Sequence, residues 1–179
     1  MAVIYFYFDF NDVEKQQFEK MIFSLIKQLS LRCTSTSRVL AALFSSYMNG
    51  ERQPTSDALL LTLQHMIREF GETYIILDAL DECKDREELL EGVRAVVGWE
   101  LKKLHILVTS RREKDIEESL ESFVNDERRV CIQSALVNDD IRVYVHKRLQ
   151  TDQKLKRWQK NSEVQQEIET TLVGKADGM

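Results

Sequence analysis

The chain has 179 residues, of which 43% are hydrophobic and 31% charged, with 6 Gly and 1 Pro. That supports one folded domain with the start of a second and excludes a disordered chain. The net charge of −5, with basic residues interspersed among acids, argues against a nucleic-acid surface, which needs clustered Lys and Arg.

The first segment, Val3-Ile4-Tyr5-Phe6-Tyr7-Phe8, is a continuous β-branched and aromatic run. It reads as a strand buried on both faces of a parallel sheet, and with no basic flank it does not read as a signal peptide. Asn11 or Asp12 is placed to cap a helix, along which Phe18, Met21, Ile22, Leu25, Ile26 and Leu29 recur at helical spacing. The Ser/Thr cluster from Thr34 to Ser37 breaks that helix. Val39, Leu40, Leu43, Phe44 and Tyr47 give a short second one, stopped at Asn49-Gly50. Pro54 opens a third helix, carrying Leu59, Leu63, Met66, Ile67 and Phe70 and ended by Gly71.

Tyr74-Ile75-Ile76-Leu77 is the second expected strand, and Asp85 starts a helix with Leu89, Leu90, Val93, Val96 and Val97 on one face. Leu104 to Val108 gives a third strand, Ile116, Leu120 and Phe123 another helix, and Val130-Cys131-Ile132 a short fourth strand. A helix start is expected at Val137 to Asp140, followed by Ile141, Val145 and Leu149. Helical spacing returns in Leu155 and Trp158, then in Val164, Ile168 and Leu172. Strands alternating with amphipathic helices indicate an α/β fold with a parallel sheet. The expected division is an α/β domain over 1–150 and the start of a helical segment over 151–179.

Cys33, Cys83 and Cys131 are scattered and show no CxxC spacing. They read as reduced thiols of a cytoplasmic protein; with the dispersed His65, His105 and His146 they do not suggest a metal site. No apolar run approaches the roughly 18 residues of a membrane span.

Parallel sheets bind ligands at the carboxyl ends of their strands. There Asp78, Asp81 and Glu82 follow the second strand. Three adjacent carboxylates repel unless a cation or hydrogen-bond donors sit between them. Mg²⁺ is a natural occupant, held by one or two carboxylates, waters and substrate phosphates. A neighbouring carboxylate can orient a water for attack on a γ-phosphate. The same acids equally read as solvent-facing caps of the next helix. The third strand ends in Thr109-Ser110-Arg111-Arg112, where a hydroxyl and a guanidinium can contact a terminal phosphate. A surface Arg pair near a helix start is the alternative.

Tyr74-Ile-Ile-Leu-Asp-Ala-Leu-Asp-Glu-Cys83 resembles the extended Walker B motif of NACHT domains, in the STAND class of P-loop signalling ATPases. Leu104-His-Ile-Leu-Val-Thr-Ser-Arg-Arg112 resembles the sensor strand that follows it. Phe6-Tyr-Phe-Asp-Phe-Asn11, Leu136-Val-Asn-Asp-Asp-Ile141 and Lys175-Ala-Asp-Gly-Met179 are similar to segments of fungal NLR-like proteins with a nephrocystin-3-like N-terminal region, commonly ahead of ankyrin or WD repeats. The resemblance implies a P-loop NTPase-like parallel sheet flanked by helices. It implies Asp78 as the Mg²⁺-associated residue, Asp81 and Glu82 as the acidic pair linked to water activation, and Ser110 with Arg111 at the nucleotide phosphates. It also implies ATP or another NTP as ligand and a homo-oligomer formed through the NACHT domain.

No G-x-x-x-x-G-K-[ST] occurs: Gly174-Lys175 is followed by Ala176, and Glu169 stands where the first Gly belongs. The resemblance places the phosphate-loop strand just upstream of Met1 in sequence and between the second and third strands in space. The chain is thus expected to be a partial domain, its flanking strands either closing up or folding poorly. Without three phosphate-loop hydrogen bonds at roughly 1.5–3 kcal/mol each, affinity would fall by about three to six decades. The expected function is part of an ATP- and Mg²⁺-dependent switch whose parent is a weak ATPase, this chain being inactive alone. The alternative is a non-enzymatic interaction or oligomerisation module. A phosphohydrolase using Asp78 as nucleophile is disfavoured, because no Asp-x-Asp stands at that strand end.

Overall fold

A computed structural model describes residues 1–32, 36–47, 52–131, 134–158 and 161–176. The chain divides into two compact units, Met1–Asn125 and Asp126–Met179. The first is an α/β unit built on three strands, β1 (Ala2–Tyr7), β2 (Thr73–Asp78) and β3 (Leu104–Val108), all parallel and in the order β1-β2-β3. The register runs Ala2↔Thr73↔Leu104 at one end, with Phe6↔Leu77↔Val108 and Tyr7↔Asp78 at the other. Tyr74–Leu77 and Leu104–Val108, between which the resemblance implies another strand, are therefore direct hydrogen-bond neighbours. Unpaired strand edges are costly, and this pairing removes two of them.

The helices form where the apolar spacing puts them. Asp12 accepts from the Glu14 N–H at 3.1 Å and caps a 3₁₀ turn, Val13–Gln16, which leads into α1 (Phe18–Ser30). All six periodic residues of α1, from Phe18 to Leu29, are buried. α2 spans Thr36–Ser46, and α3 (Ser56–Arg68) is capped by Thr55 rather than opened by Pro54. α4 (Arg86–Val97) and α5 (Lys114–Glu121) follow β2 and β3. The expected break at Thr34, the stop at Asn49-Gly50 and Ile132 lie outside the described residues. The second unit holds α6 (Ser134–Thr151), a 3₁₀ segment Gln153–Trp158, and α7 (Ser162–Ala176). Among the described residues no helix is long and apolar enough to cross a membrane.

Two expectations need correction. Val130 and Cys131 do not join the sheet, and Val130 is 91% exposed; a short apolar run gains strand structure only from a paired neighbour, and among the described residues these two have none. β1 is also buried on one face only. Ala2, Ile4 and Phe6 are buried, whereas Tyr5 and Tyr7 are 45% and 51% exposed. Tyr5 shares its row with Leu107 of β3, which is 58% exposed. Aromatic residues satisfy a half-covered sheet as well as a buried one, so the run alone did not distinguish them.

The core lies between the other sheet face and helices α1, α3 and α4, around a small apolar cavity of about 20 Å³ lined in part by Phe18, Leu63, Ile75 and Val93. At Gly92 α4 lies directly against the α1 side chain Phe18: a Cβ there would collide with the ring, 2.6 Å from Cε2 and nearer still to Cζ. At the outer edge of β1, the Gln28 side chain takes the place of a neighbouring strand. Its Oε1 accepts from the Tyr5 N–H at 3.1 Å and its Nε2 donates to the Tyr5 carbonyl at 2.7 Å.

Two stability predictions follow from this packing. Gly92→Ala gains helix propensity worth roughly 1 kcal/mol but overpacks against a buried ring at roughly 1–3 kcal/mol, so urea denaturation should show a net loss of about 1 kcal/mol. A stabilised variant would mean that Phe18 is free to tilt into the cavity. Gln28→Ala bares the Tyr5 peptide, with an expected loss of about 1 kcal/mol and concentration-dependent association by light scattering. Unchanged stability and a monodisperse sample would rule out edge protection by this amide.

Candidate functional site

Asp78 is the last residue of the central strand, delivered to its carboxyl end by alternation from the buried Ile75 and Leu77. Its Oδ1 accepts a short hydrogen bond from the Thr109 hydroxyl. Thr109 ties the two strand ends together. Its N–H donates to the Leu77 carbonyl at 3.0 Å, its own carbonyl accepts from the Leu80 N–H at 3.0 Å, and its Oγ1 accepts from the Ala79 N–H at 3.1 Å. Ala79 adopts a left-handed conformation, φ 59° and ψ 54°. That conformation costs a non-glycine residue roughly 1–2 kcal/mol, and the Thr109 bonds offset it. The turn it makes sends the chain into the 3₁₀ segment Leu80–Glu82, with Leu80 fully buried beneath.

The three carboxylates that the sequence sets close together diverge here. Asp81 faces the end of β3, where its Oδ1 accepts from the Arg111 N–H at 2.9 Å and its Oδ2 lies 3.7 Å from Arg111 Nε. The Ser110 hydroxyl sits 3.2 Å from Asp81 Oδ1 and 2.8 Å from the Arg111 carbonyl, and its single proton serves one of them at a time. The Asp81 side chain is only 8% exposed, whereas that of Arg111 is 59% exposed. Glu82 turns the other way: its Oε2 accepts from the Phe10 N–H, in the loop after β1, at 2.8 Å. Arg112 is held by Glu117 of α5, Nη2 to Oε1 at 3.1 Å. Arg86 at the start of α4 pairs with Asp115 at 3.1 Å.

The structure thus brings Asp81, Ser110 and Arg111 into one bonded group and keeps Asp78 and Glu82 apart from it, each with its own donor. Among the described residues no three His, Cys, Asp or Glu side chains form a metal-holding group. A hard divalent cation that keeps most of its waters and takes one protein carboxylate fits this arrangement through Asp78, because no hydrogen bond among the described residues engages its Oδ2. A cage of all three carboxylates does not fit. An open polar cavity of about 500 Å³ lies beside the turn, lined by Phe10, Asp81, Glu82, Lys84, Arg86 and Arg111 among others.

Sequence reading missed two residues. Thr109 looked like part of a phosphate-contacting string, but it organises the strand ends; only the paired register of β2 and β3 reveals this. Gln16, 6% exposed, belongs to no motif or periodic pattern in the sequence. Its Nε2 donates to the Phe10 carbonyl at 2.5 Å and lies 3.3 Å from the Asp9 carbonyl. Its own carbonyl accepts from the Lys84 N–H at 2.9 Å and from Cys83 Sγ at 3.3 Å.

Burial pushes the Cys83 thiol up to about 11, while the hydrogen bond from the Asp85 backbone pulls it slightly down. The folded state therefore favours the protonated thiol. Its contribution to stability is complete below the unfolded value of about 8.5 and is lost as pH rises towards about 11. Alkylation at about pH 8 should modify the exposed Cys131 in the folded chain and reach Cys83 only on unfolding. Equal labelling rates at the two thiols would contradict this packing of Cys83.

The family model described as Nephrocystin 3, N-terminal matches residues 1–111, a span that holds β1 to β3, the acidic turn and Arg111. No curated protein matches the chain. No solved structure matches it either.

Proposed function

The chain belongs to the nephrocystin 3 N-terminal family, and from the geometry of its strand ends we propose that it is part of a NACHT-type, nucleotide-controlled switch of the STAND class. The observation that carries this reading is the delivery of Asp78 by the central strand to the same edge as the exposed Arg111 guanidinium. In the proposed switch Asp78 holds Mg²⁺, and Arg111 meets the terminal phosphate of ATP or another NTP. The cation neutralises phosphate charge when bound. Ser110 stays within the Asp81 group. Asp81, its side chain nearly covered and bonded to the Arg111 backbone, sets the position of that arginine. Glu82, with Oε1 outside any hydrogen bond among the described residues, orients the attacking water. The parent protein would be a weak cytoplasmic ATPase that assembles through this domain and transmits a signal.

Calorimetry with Mg²⁺ and ATP tests the proposal. It is to be run on this chain and on a longer natural protein that carries the chain behind a phosphate-binding loop. Binding is expected from the longer protein and not from this chain. In the longer protein Asp78→Asn should weaken Mg²⁺-dependent binding by about tenfold or more, a charged hydrogen-bond or ligand contact being worth roughly 1.5–3 kcal/mol. Glu82→Gln should slow hydrolysis with binding preserved. Unchanged binding and turnover in both variants would show these roles to be wrong.

A second reading, a nucleotide-independent interaction module, is favoured by one observation: the sheet face bearing Tyr5, Tyr7 and Leu107 is exposed. Parallel sheets ordinarily cover both faces. A stable oligomer on size-exclusion chromatography without nucleotide supports this second reading, and a strict monomer counts against it.

A further inference from the structure

Gln16 is a buried amide beside the acidic turn for which the proposed switch provides no role. It closes the 3₁₀ turn Val13–Gln16 and is 6% exposed, and burying an amide is favourable only if its polar atoms are used. Its bonds are arranged around one peptide group. The Asp9–Phe10 peptide presents its carbonyl to Gln16 Nε2 at 3.3 Å and its N–H to Glu82 Oε2 at 2.8 Å. The next carbonyl, that of Phe10, accepts from the same Nε2 at 2.5 Å. The Gln16 backbone carbonyl then takes the Cys83 thiol and the Lys84 N–H, the two residues that follow Glu82. The bonds close a ring: Glu82 to the Phe10 peptide, to the Gln16 amide, to the Gln16 carbonyl, and back through Lys84 and Cys83 to Glu82. A peptide polarised at both ends donates a stronger hydrogen bond than an isolated one.

We propose that Gln16 is a positioning residue for Glu82. It fixes the Asp9–Phe10 peptide so that its N–H holds Oε2 and leaves Oε1 for a water in the polar cavity beside the turn. A carboxylate held through one oxygen has its rotamer set before any ligand arrives, which is preorganisation. This role for Oε1 rests on the proposed switch; the hydrogen-bonded ring itself does not.

The first test is hydrogen exchange by NMR on the whole chain. Gln16→Met keeps the side chain's size and removes its donors. The Phe10 amide should then exchange about tenfold faster, and equally so in Glu82→Ala, with no further gain when both changes are combined. The Ile75 and Leu77 amides of β2 should not change. Unchanged Phe10 exchange in Gln16→Met overturns the proposal. If Gln16→Met does not fold, Glu82→Ala is read at the Gln16 side-chain NH₂ instead. Faster exchange there supports the ring, and unchanged exchange overturns it. The second test uses the longer natural protein with nucleotide. Gln16→Met should lower kcat about tenfold with KM unchanged, as expected when a group acting at the reacting water is misplaced. A raised KM with unchanged kcat would show a merely structural role. A wild-type protein that binds no nucleotide refutes the switch, and the exchange result then decides the ring by itself.

Discussion

The end of β2 depends on Thr109. A parallel strand pair fixes which residues stand opposite each other but leaves the chain free once the ladder stops. At that point Thr109 uses its N–H, its carbonyl and its hydroxyl on Leu77, Leu80, Ala79 and Asp78. Those bonds hold a non-glycine residue in a left-handed turn and give the Asp78 carboxylate a set orientation. Each is worth only about 1 kcal/mol net, yet together they exceed the roughly 1–2 kcal/mol of strain at Ala79. Without the β2–β3 register none of them could form.

The electrostatics of the turn follow from the same constraint. Three carboxylates within five residues would repel if they converged. The turn distributes them instead, giving Asp78 a hydroxyl, Asp81 a backbone N–H with a guanidinium, and Glu82 a backbone N–H from another loop. Burial of the Asp81 carboxylate leaves the exposed charge on Arg111. The site is therefore electrostatically mixed rather than an acidic cage, and the proposed switch asks for both signs of charge. Gln16 joins the loop after β1 to this turn, so three separate chain segments behave as one site.

The sheet that carries the site is covered unequally. α1, α3 and α4 bury Ile4, Phe6, Ile75 and Leu77 on one face, where a single hydrogen at Gly92 allows α4 to approach the Phe18 ring. The other face carries Tyr5, Tyr7 and Leu107 in partial exposure, and Tyr74 stacked on His105 at 4.6 Å. The outer edge of β1 is protected by the Gln28 amide. Edge and face are thus treated differently: the backbone edge is closed by a side chain, whereas the aromatic face stays available.

The helices and strands of the first unit were legible in the sequence because period and position are local properties. The α1 stripe from Phe18 to Leu29 and the run Tyr74 to Leu77 each carry their own signal, as does Asp78 at the end of a strand. The same locality misled at Val130-Cys131, where an apolar run found no partner strand, and at β1, where aromatic residues fit one buried face or two. The sequence could place Asp81, Glu82, Ser110 and Arg111 near the ligand edge but could not say which of them pair. That choice belongs to the tertiary structure, because it depends on strand register and on loops brought together from positions 9–16, 78–84 and 109–111. Hydrogen bonds between residues some thirty or seventy positions apart leave no periodic trace in a single chain, so Thr109 and Gln16 became recognisable only once the strand ends were side by side.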